Sequence, residues 1–314
     1  MKLWLSILSA TSLLATGTSL AQDPAPADET GEVLGYDEDR WQRMTVPVSI
    51  DGRGPYAFVV DTGAERTAIA KELARDLQLG PGTRARLHSM TEVSRVDTVI
   101  ISALEVAGKS VPRIHAPALQ RRHIGAEGIL GVDSLQSHRV SFDFKRQEMT
   151  VVPSKKREER WDGNTIVVTA RSRYGHLVLV DAAVEGQKVW VILDTGAQTS
   201  VGNLALRRKL ESRRKLRNVV PIEMTSVTGG KAMADHSVIS RIRLGTVEVT
   251  DMPIAFADVH PFRKLELMDR PAILLGMDAL RLFERVSVDF ANRRVKLLPP
   301  GRSERRGTTF AAAD

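Results

Sequence analysis

Tyr56-Ala57-Phe58-Val59-Val60-Asp61-Thr62-Gly63-Ala64 and Val189-Trp190-Val191-Ile192-Leu193-Asp194-Thr195-Gly196-Ala197 decide the reading of this chain, because one event occurs in both. A strand of apolar, largely β-branched and aromatic residues stops on a carboxylate, and the chain turns. Ahead of the first copy, Met44 to Ile50 alternates like strand material and a turn at Asp51-Gly52-Arg53-Gly54-Pro55 predicts a hairpin. Ahead of the second, residues 176–180 and 182–184 lead through Glu185-Gly186-Gln187 into 188–193. Beyond the tetrapeptides, residues 65–79 and 198–216 read as short helical stretches.

The copies also end alike. Gly128-Ile129-Leu130-Gly131-Val132-Asp133, followed by Arg139-Val140-Ser141-Phe142-Asp143-Phe144, answers Ala272-Ile273-Leu274-Leu275-Gly276-Met277-Asp278, followed by Arg285-Val286-Ser287-Val288-Asp289-Phe290. Asp61 and Asp194 lie 133 residues apart and Gly131 and Gly276 lie 145 apart. The second copy is therefore about a dozen residues longer, an insertion expected near 258–270. Asp133 and Asp278 read as helix-capping or turn residues.

A carboxylate at the end of a buried strand bears a large desolvation cost if it stands alone. Two copies related by a pseudo-twofold axis bring Asp61 and Asp194 together, as a symmetric dimer would. Two adjacent carboxyls share a proton and titrate as a pair. One then takes a proton from a water that attacks a peptide carbonyl, and the other stabilises the oxyanion and returns a proton to the leaving nitrogen. Such a pair needs no cofactor and no metal. Gly63 and Gly196 allow a tight turn and close approach of the loops, while the hydroxyls of Thr62 and Thr195 are suited to cross-bond the opposite loop.

Duplicated Asp-Thr-Gly-Ala with an apolar-apolar-Gly ending in each copy resembles the retropepsin-like aspartic proteases, specifically the group found among exported bacterial proteins, across about 44–300. The resemblance implies a mainly β fold of two pseudo-twofold-related closed-barrel lobes with short helices. It also implies a cleft between them, hairpin flaps over an extended polypeptide substrate, and a fireman's-grip arrangement of the threonines. Asp61 and Asp194 would be catalytic, with Thr62, Gly63, Thr195 and Gly196 supporting them. Ala64, Ala197, Thr228, Gly229 and Gly230 would touch substrate. Residues 223–231 make a flap with a glycine pair at its tip, whereas its counterpart at 87–94 has no glycine and is expected to be stiffer, shorter or differently shaped. Glu65 and Gln198 stand where retroviral enzymes often place a substrate-binding aspartate.

The chain of 314 residues is 42% hydrophobic, enough for two modest cores or one large one. It has no cysteine, which excludes disulfides, zinc ribbons, thiol nucleophiles and a lipoprotein anchor. The formal charge of +7 is scattered rather than gathered beside aromatics, so no nucleic-acid partner is expected. A positive surface suits anionic membranes, cell-wall polymers and acidic protein segments alike. The seven histidines show no metal-binding spacing. No Gly-x-Ser-x-Gly elbow or phosphate loop is present.

Met1-Lys2, the apolar run Leu3 to Leu14 and Ser19-Leu20-Ala21 read as a cleaved export signal, giving a periplasmic or secreted protein. The alternative is an uncleaved N-terminal membrane anchor. The expected organisation is a signal peptide (1–21), a flexible linker (22–40), an N-terminal lobe (41–153), an interlobe linker (154–163), a C-terminal lobe (164–300) and a flexible tail (301–314). Both halves lie in one chain, so an active monomer with an internal pseudo-dimer is expected. The rival reading is a catalytically inactive peptide-binding or scaffold module on the same fold.

Overall fold

The computed structural model describes residues 32–39, 43–135, 137–155, 161, 165–173, 176–179, 181–300 and 310–312. Two tight turns set up the repeat. Asp51 and Gly52 take φ of 48° and 74° between the strands Met44–Ile50 and Arg53–Val60, and Glu185 and Gly186 take 48° and 75° between Ala182–Val184 and Gln187–Lys188. Left-handed φ at both central residues matches the twist of a two-residue hairpin. The first turn is thus shorter than expected, and Arg53-Gly54-Pro55 already belongs to the returning strand.

In the first lobe six strands close into a barrel. The ring runs Met44–Ile50, Arg53–Val60, Gly128–Leu130, Ala68–Ala70, Lys109–Leu119 and Thr98–Val106, and returns to Met44–Ile50. Val46, Ile50, Phe58, Val60, Ile69, Ile101 and Leu104 are buried in its core. The second lobe repeats the order from Trp190–Leu193 through Ala272–Leu275, Val201–Gly202, Val247–Phe256 and Lys231–Leu244 to Ala182–Val184. Here the strand that closes the first barrel is split. His176–Leu179 pairs with Trp190–Leu193, and Ala182–Val184 pairs with Lys231–Leu244, so the second lobe is a continuous β-rich sheet.

The helices are shorter than the sequence implied. Ala68–Ala70 and Val201–Gly202 are strands, because each is held beside a closing strand, and within these two stretches helix is confined to Lys71–Asp76 and Leu204–Ser212. Asn203 fixes the second helix start by accepting from Leu206 N at 2.8 Å. Long-range pairing overrides a short apolar stretch whose helix and strand periods cannot be told apart.

The strands that end the copies, joined by one strand from ahead of each copy, run across both lobes in the order Glu32–Gly35, Glu148–Pro153, His138–Asp143, Arg285–Asp289, Arg294–Leu298, Ile166–Arg173, as part of a sixteen-stranded sheet among the described residues. His138–Asp143 and Arg285–Asp289 meet antiparallel with Ser141 opposite Ser287, their hydroxyls 2.8 Å apart. These serines occupy equivalent positions in the duplicated Arg-Val-Ser motif, so the pseudo-twofold axis passes between them. Arg285 bonds Asp143 at 2.8 Å, and Arg139 faces Asp289 at 3.9 Å.

Two connecting segments are corrected. The stretch read as linker up to residue 40 contains the edge strand Glu32–Gly35 and the short strand Asp37–Glu38, with Tyr36 buried between them. In the tail, Phe310–Ala312 pairs with Val247–Val249. Edge pairing uses backbone groups and needs no apolar periodicity, which is why composition missed both. Residues 1–31, with the segment expected to be a signal peptide, most of the expected interlobe linker and the rest of the tail lie outside the described residues. Trp161, within that linker, lies beside the Arg285 guanidinium, 5.3 Å from the ring centroid.

Candidate active site

Each aspartate strand lies parallel to its closing strand: Phe58–Val60 beside Gly128–Leu130, and Trp190–Leu193 beside Ala272–Leu275. The pairing carries into the loops, where Asp61 N donates to Leu130 O and Asp194 N to Leu275 O, both at 3.0 Å. Each carboxylate is then held by its own turn. Asp61 Oδ1 accepts from Gly63 N (2.8 Å) and Ala64 N (2.9 Å), and Asp194 Oδ1 accepts from Gly196 N (2.9 Å) and Ala197 N (3.1 Å).

The threonines cross the interface. Thr62 Oγ1 donates to Leu193 O (3.0 Å) and accepts from Thr195 N (3.1 Å); Thr195 Oγ1 donates to Val60 O (2.6 Å) and accepts from Thr62 N (3.0 Å). Both side chains are buried. The glycines cross as well: a Cβ on Gly63 would lie 2.5 Å from Asp194 Cγ, and one on Gly196 would run into the Asp61 carboxyl. Each carboxyl therefore lies against the other loop's glycine.

Asp194 is buried and its pKa is raised well above the usual carboxylate range, first by desolvation, then by the charge of Asp61, then by a hydrogen bond to the Asp61 side chain. The amides of Gly196 and Ala197 pull the other way and do not win. Asp194 is thus the more deeply buried member of the pair, while Asp61 is only partly buried.

A supporting layer repeats in both copies. Thr67 Oγ1 donates to Asp133 Oδ1 (2.8 Å) and accepts from Gly131 N (3.1 Å); Ser200 Oγ donates to Asp278 Oδ1 (2.6 Å) and accepts from Gly276 N (3.0 Å). Asp133 and Asp278 thus brace the loops that follow the Asp-Thr-Gly turns, a role beyond the capping or turn function expected of them. Burial raises the pKa of Asp278. Sequence reasoning missed Thr67 and Ser200, although a hydroxyl six residues after each aspartate was a readable signal. It also missed Arg43, a buried guanidinium that bonds Asp39 and Ile124 O and approaches Gly196 O at 3.5 Å.

Both flaps are hairpins. The first, Ala85–His88 with Val93–Val96, turns without glycine through Ser89 N to Glu92 O (2.9 Å), and its strands are shorter than those of the second, Val220–Thr225 with Lys231–Leu244. Their tips meet: Thr91 Oγ1 donates to Ser226 Oγ (3.0 Å) and Thr228 Oγ1 to Ser89 Oγ (3.2 Å). Gly229 supplies φ of 87° at the second tip, and Gly230 lies against Thr91. Ala64 and Ala197 are placed differently, because their carbonyls are taken by Val132 N and Met277 N, both at 2.8 Å. Glu65 pairs with Lys264 of the other lobe.

Family models match both copies. The model described as "gag-polyprotein putative aspartyl protease" matches residues 46–137, and the model described as "Aspartyl protease" matches 180–279. Each match contains one Asp-Thr-Gly-Ala and its closing glycine. The chain belongs to the retropepsin-like aspartic proteases. It is an aspartic-type peptidase with a polypeptide substrate, carrying two protease units in tandem. No curated protein matches the chain.

Proposed function

We propose that Asp61 and Asp194 are the catalytic dyad of a single-chain aspartic endopeptidase acting on exported or membrane-exposed proteins. The observation that carries this reading is the reciprocal seating of each carboxyl on the other loop's glycine, joined to the raised pKa of Asp194. Asp61 takes a proton from a water between the carboxyls as the water oxygen bonds to the scissile carbonyl carbon. Protonated Asp194 donates to the developing oxyanion. The tetrahedral species then collapses: the C–N bond breaks, the nitrogen receives the proton held by Asp61, and Asp194 recovers its own, leaving an acid, an amine and the starting dyad. The flaps, whose tips meet, supply a cover that shields an extended peptide from bulk water.

The signal-like pattern of residues 1–21 supports export to the periplasm or beyond. A surface feature supports working at a membrane. Arg208, Lys209, Arg213, Arg214, Lys215 and Arg217 are all exposed, their side chains without a hydrogen bond or ion pair among the described residues, and exposed Val219 and Val220 follow after Asn218. Clustered cations beside apolar side chains suit an anionic bilayer, at about 1 kcal/mol per cation.

The test is cleavage of a diverse peptide library by wild type and by Asp61→Asn from acidic to neutral pH. Cleavage lost in the variant supports the dyad. No cleavage by a folded wild-type protein at any pH contradicts the enzymatic reading and favours a peptide-binding module.

A further inference from the structure

The insertion that lengthens the second copy reaches the first flap. His260 opens the helix His260–Lys264, and its backbone N–H donates to Met90 O at 2.9 Å. Its ring meets that of His88, with His88 Nδ1 hydrogen-bonded to His260 Nε2 and the centroids 4.4 Å apart. The Met90 side chain packs against the second core cluster, which contains Phe262 and Leu265. One turn further, Lys264 pairs with Glu65, the residue after Asp-Thr-Gly-Ala in the first lobe. This helix thus ties a flap from the first lobe and the loop beside Asp61 to the second lobe.

We propose that His88 and His260 form a pH-sensitive latch that holds the first flap over the cleft. The proposal rests on the cleft being the protease site, but the latch itself is a contact outside the dyad. With both rings neutral, one nitrogen donates and the other accepts. With both protonated, neither can accept, and two cations face each other.

The surroundings sharpen that conflict. Arg86 on the flap strand and Arg263 and Lys264 on the helix add positive charge, with Glu65 opposing them. Glu92 and Asp258 line the adjoining cavity of about 240 Å³, together with Met90, His260 and Arg263. Burial first, then the neighbouring positive groups, lowers the pKa of both histidines. A base with a depressed pKa in the latched state takes up protons when the latch opens. The latch is therefore fully formed above the ordinary histidine value of 6.5 and weakens as pH falls through the depressed values.

The absence of cysteine permits a clean test. Spin labels at Val93→Cys on the flap and Asp269→Cys on the second lobe report their separation in the full chain. Between about pH 8 and pH 5, a longer-distance component is expected to appear in wild type and to be absent from His88→Gln and His260→Gln, which keep a hydrogen-bonding side chain that does not titrate. A wild-type distribution unaffected by pH, or one that changes equally in both glutamine variants, overturns the latch. Asp61→Asn should retain the transition, so loss of hydrolysis in that variant bears on the dyad and not on the latch.

Discussion

Thr62 and Thr195 hold each other's loops by four hydrogen bonds, each hydroxyl donating to the carbonyl before the opposite aspartate and accepting from the opposite threonine's amide. The side chains are buried, so the two lobes are locked to each other at the two Asp-Thr-Gly turns. Replacing Thr62 or Thr195 by valine keeps the shape but strands a buried amide and a buried carbonyl. A loss of about 1–3 kcal/mol per group is expected, read as a fall in the midpoint of thermal unfolding along with a fall in kcat. Unchanged stability in both variants would contradict the lock.

Gly63→Ala and Gly196→Ala test the close approach more sharply. The added methyl meets the opposite carboxyl, which cannot yield freely because two backbone amides hold it. Displacing either carboxyl by about 1 Å should cost about a hundredfold in kcat/KM, with the fold retained by circular dichroism. Near-normal activity in either variant would show that the loops do not need this contact.

Asp194 makes a prediction about stability and pH. Its pKa is raised above the ordinary 3.8 by burial and by Asp61, so the folded state resists its ionisation. Stability linked to this group is fully present below that ordinary value and is lost as pH rises towards the raised one. Asp194→Asn removes the penalty. Its melting temperature relative to wild type should therefore increase between about pH 4 and about pH 8; a constant or shrinking difference would contradict the assigned protonation.

The brace behind the loops predicts a structural defect of a different kind. Ser200→Ala deprives Asp278 of its hydroxyl donor and Gly276 N of its acceptor. Hydrogen bonds to charged groups contribute about 1.5–3 kcal/mol, so unfolding at lower denaturant is expected. Thr67→Val should do the same in the first lobe through Asp133. Variants as stable as wild type would remove the brace from the account.

Much of the fold was legible because the decisive signals are local and written twice. An apolar strand ending in Asp-Thr-Gly-Ala declares its direction, its burial and the position of its carboxyl within a few residues. What stayed hidden is long-range. Ala68–Ala70 became a strand because Gly128–Leu130 and Lys109–Leu119 lie on either side of it. Arg139-Val140-Ser141 was matched to Arg285-Val286-Ser287 as a repeat, yet repetition does not say that the two strands pair. His88 and His260 lie 172 residues apart and share no motif. Most of the longer second copy did fall near 258–270, where the helix His260–Lys264 sits, but its contact with the flap depends on how the lobes meet.

The central claim is that Asp61 and Asp194 act as one unit, and a double-mutant cycle on peptide hydrolysis tests it most directly. Groups that work together lose their effect together. Asp61→Asn and Asp194→Asn should each lower kcat/KM to the level of the double variant, with all three proteins folded. Additive losses, or one single variant that keeps wild-type turnover, would contradict a shared dyad.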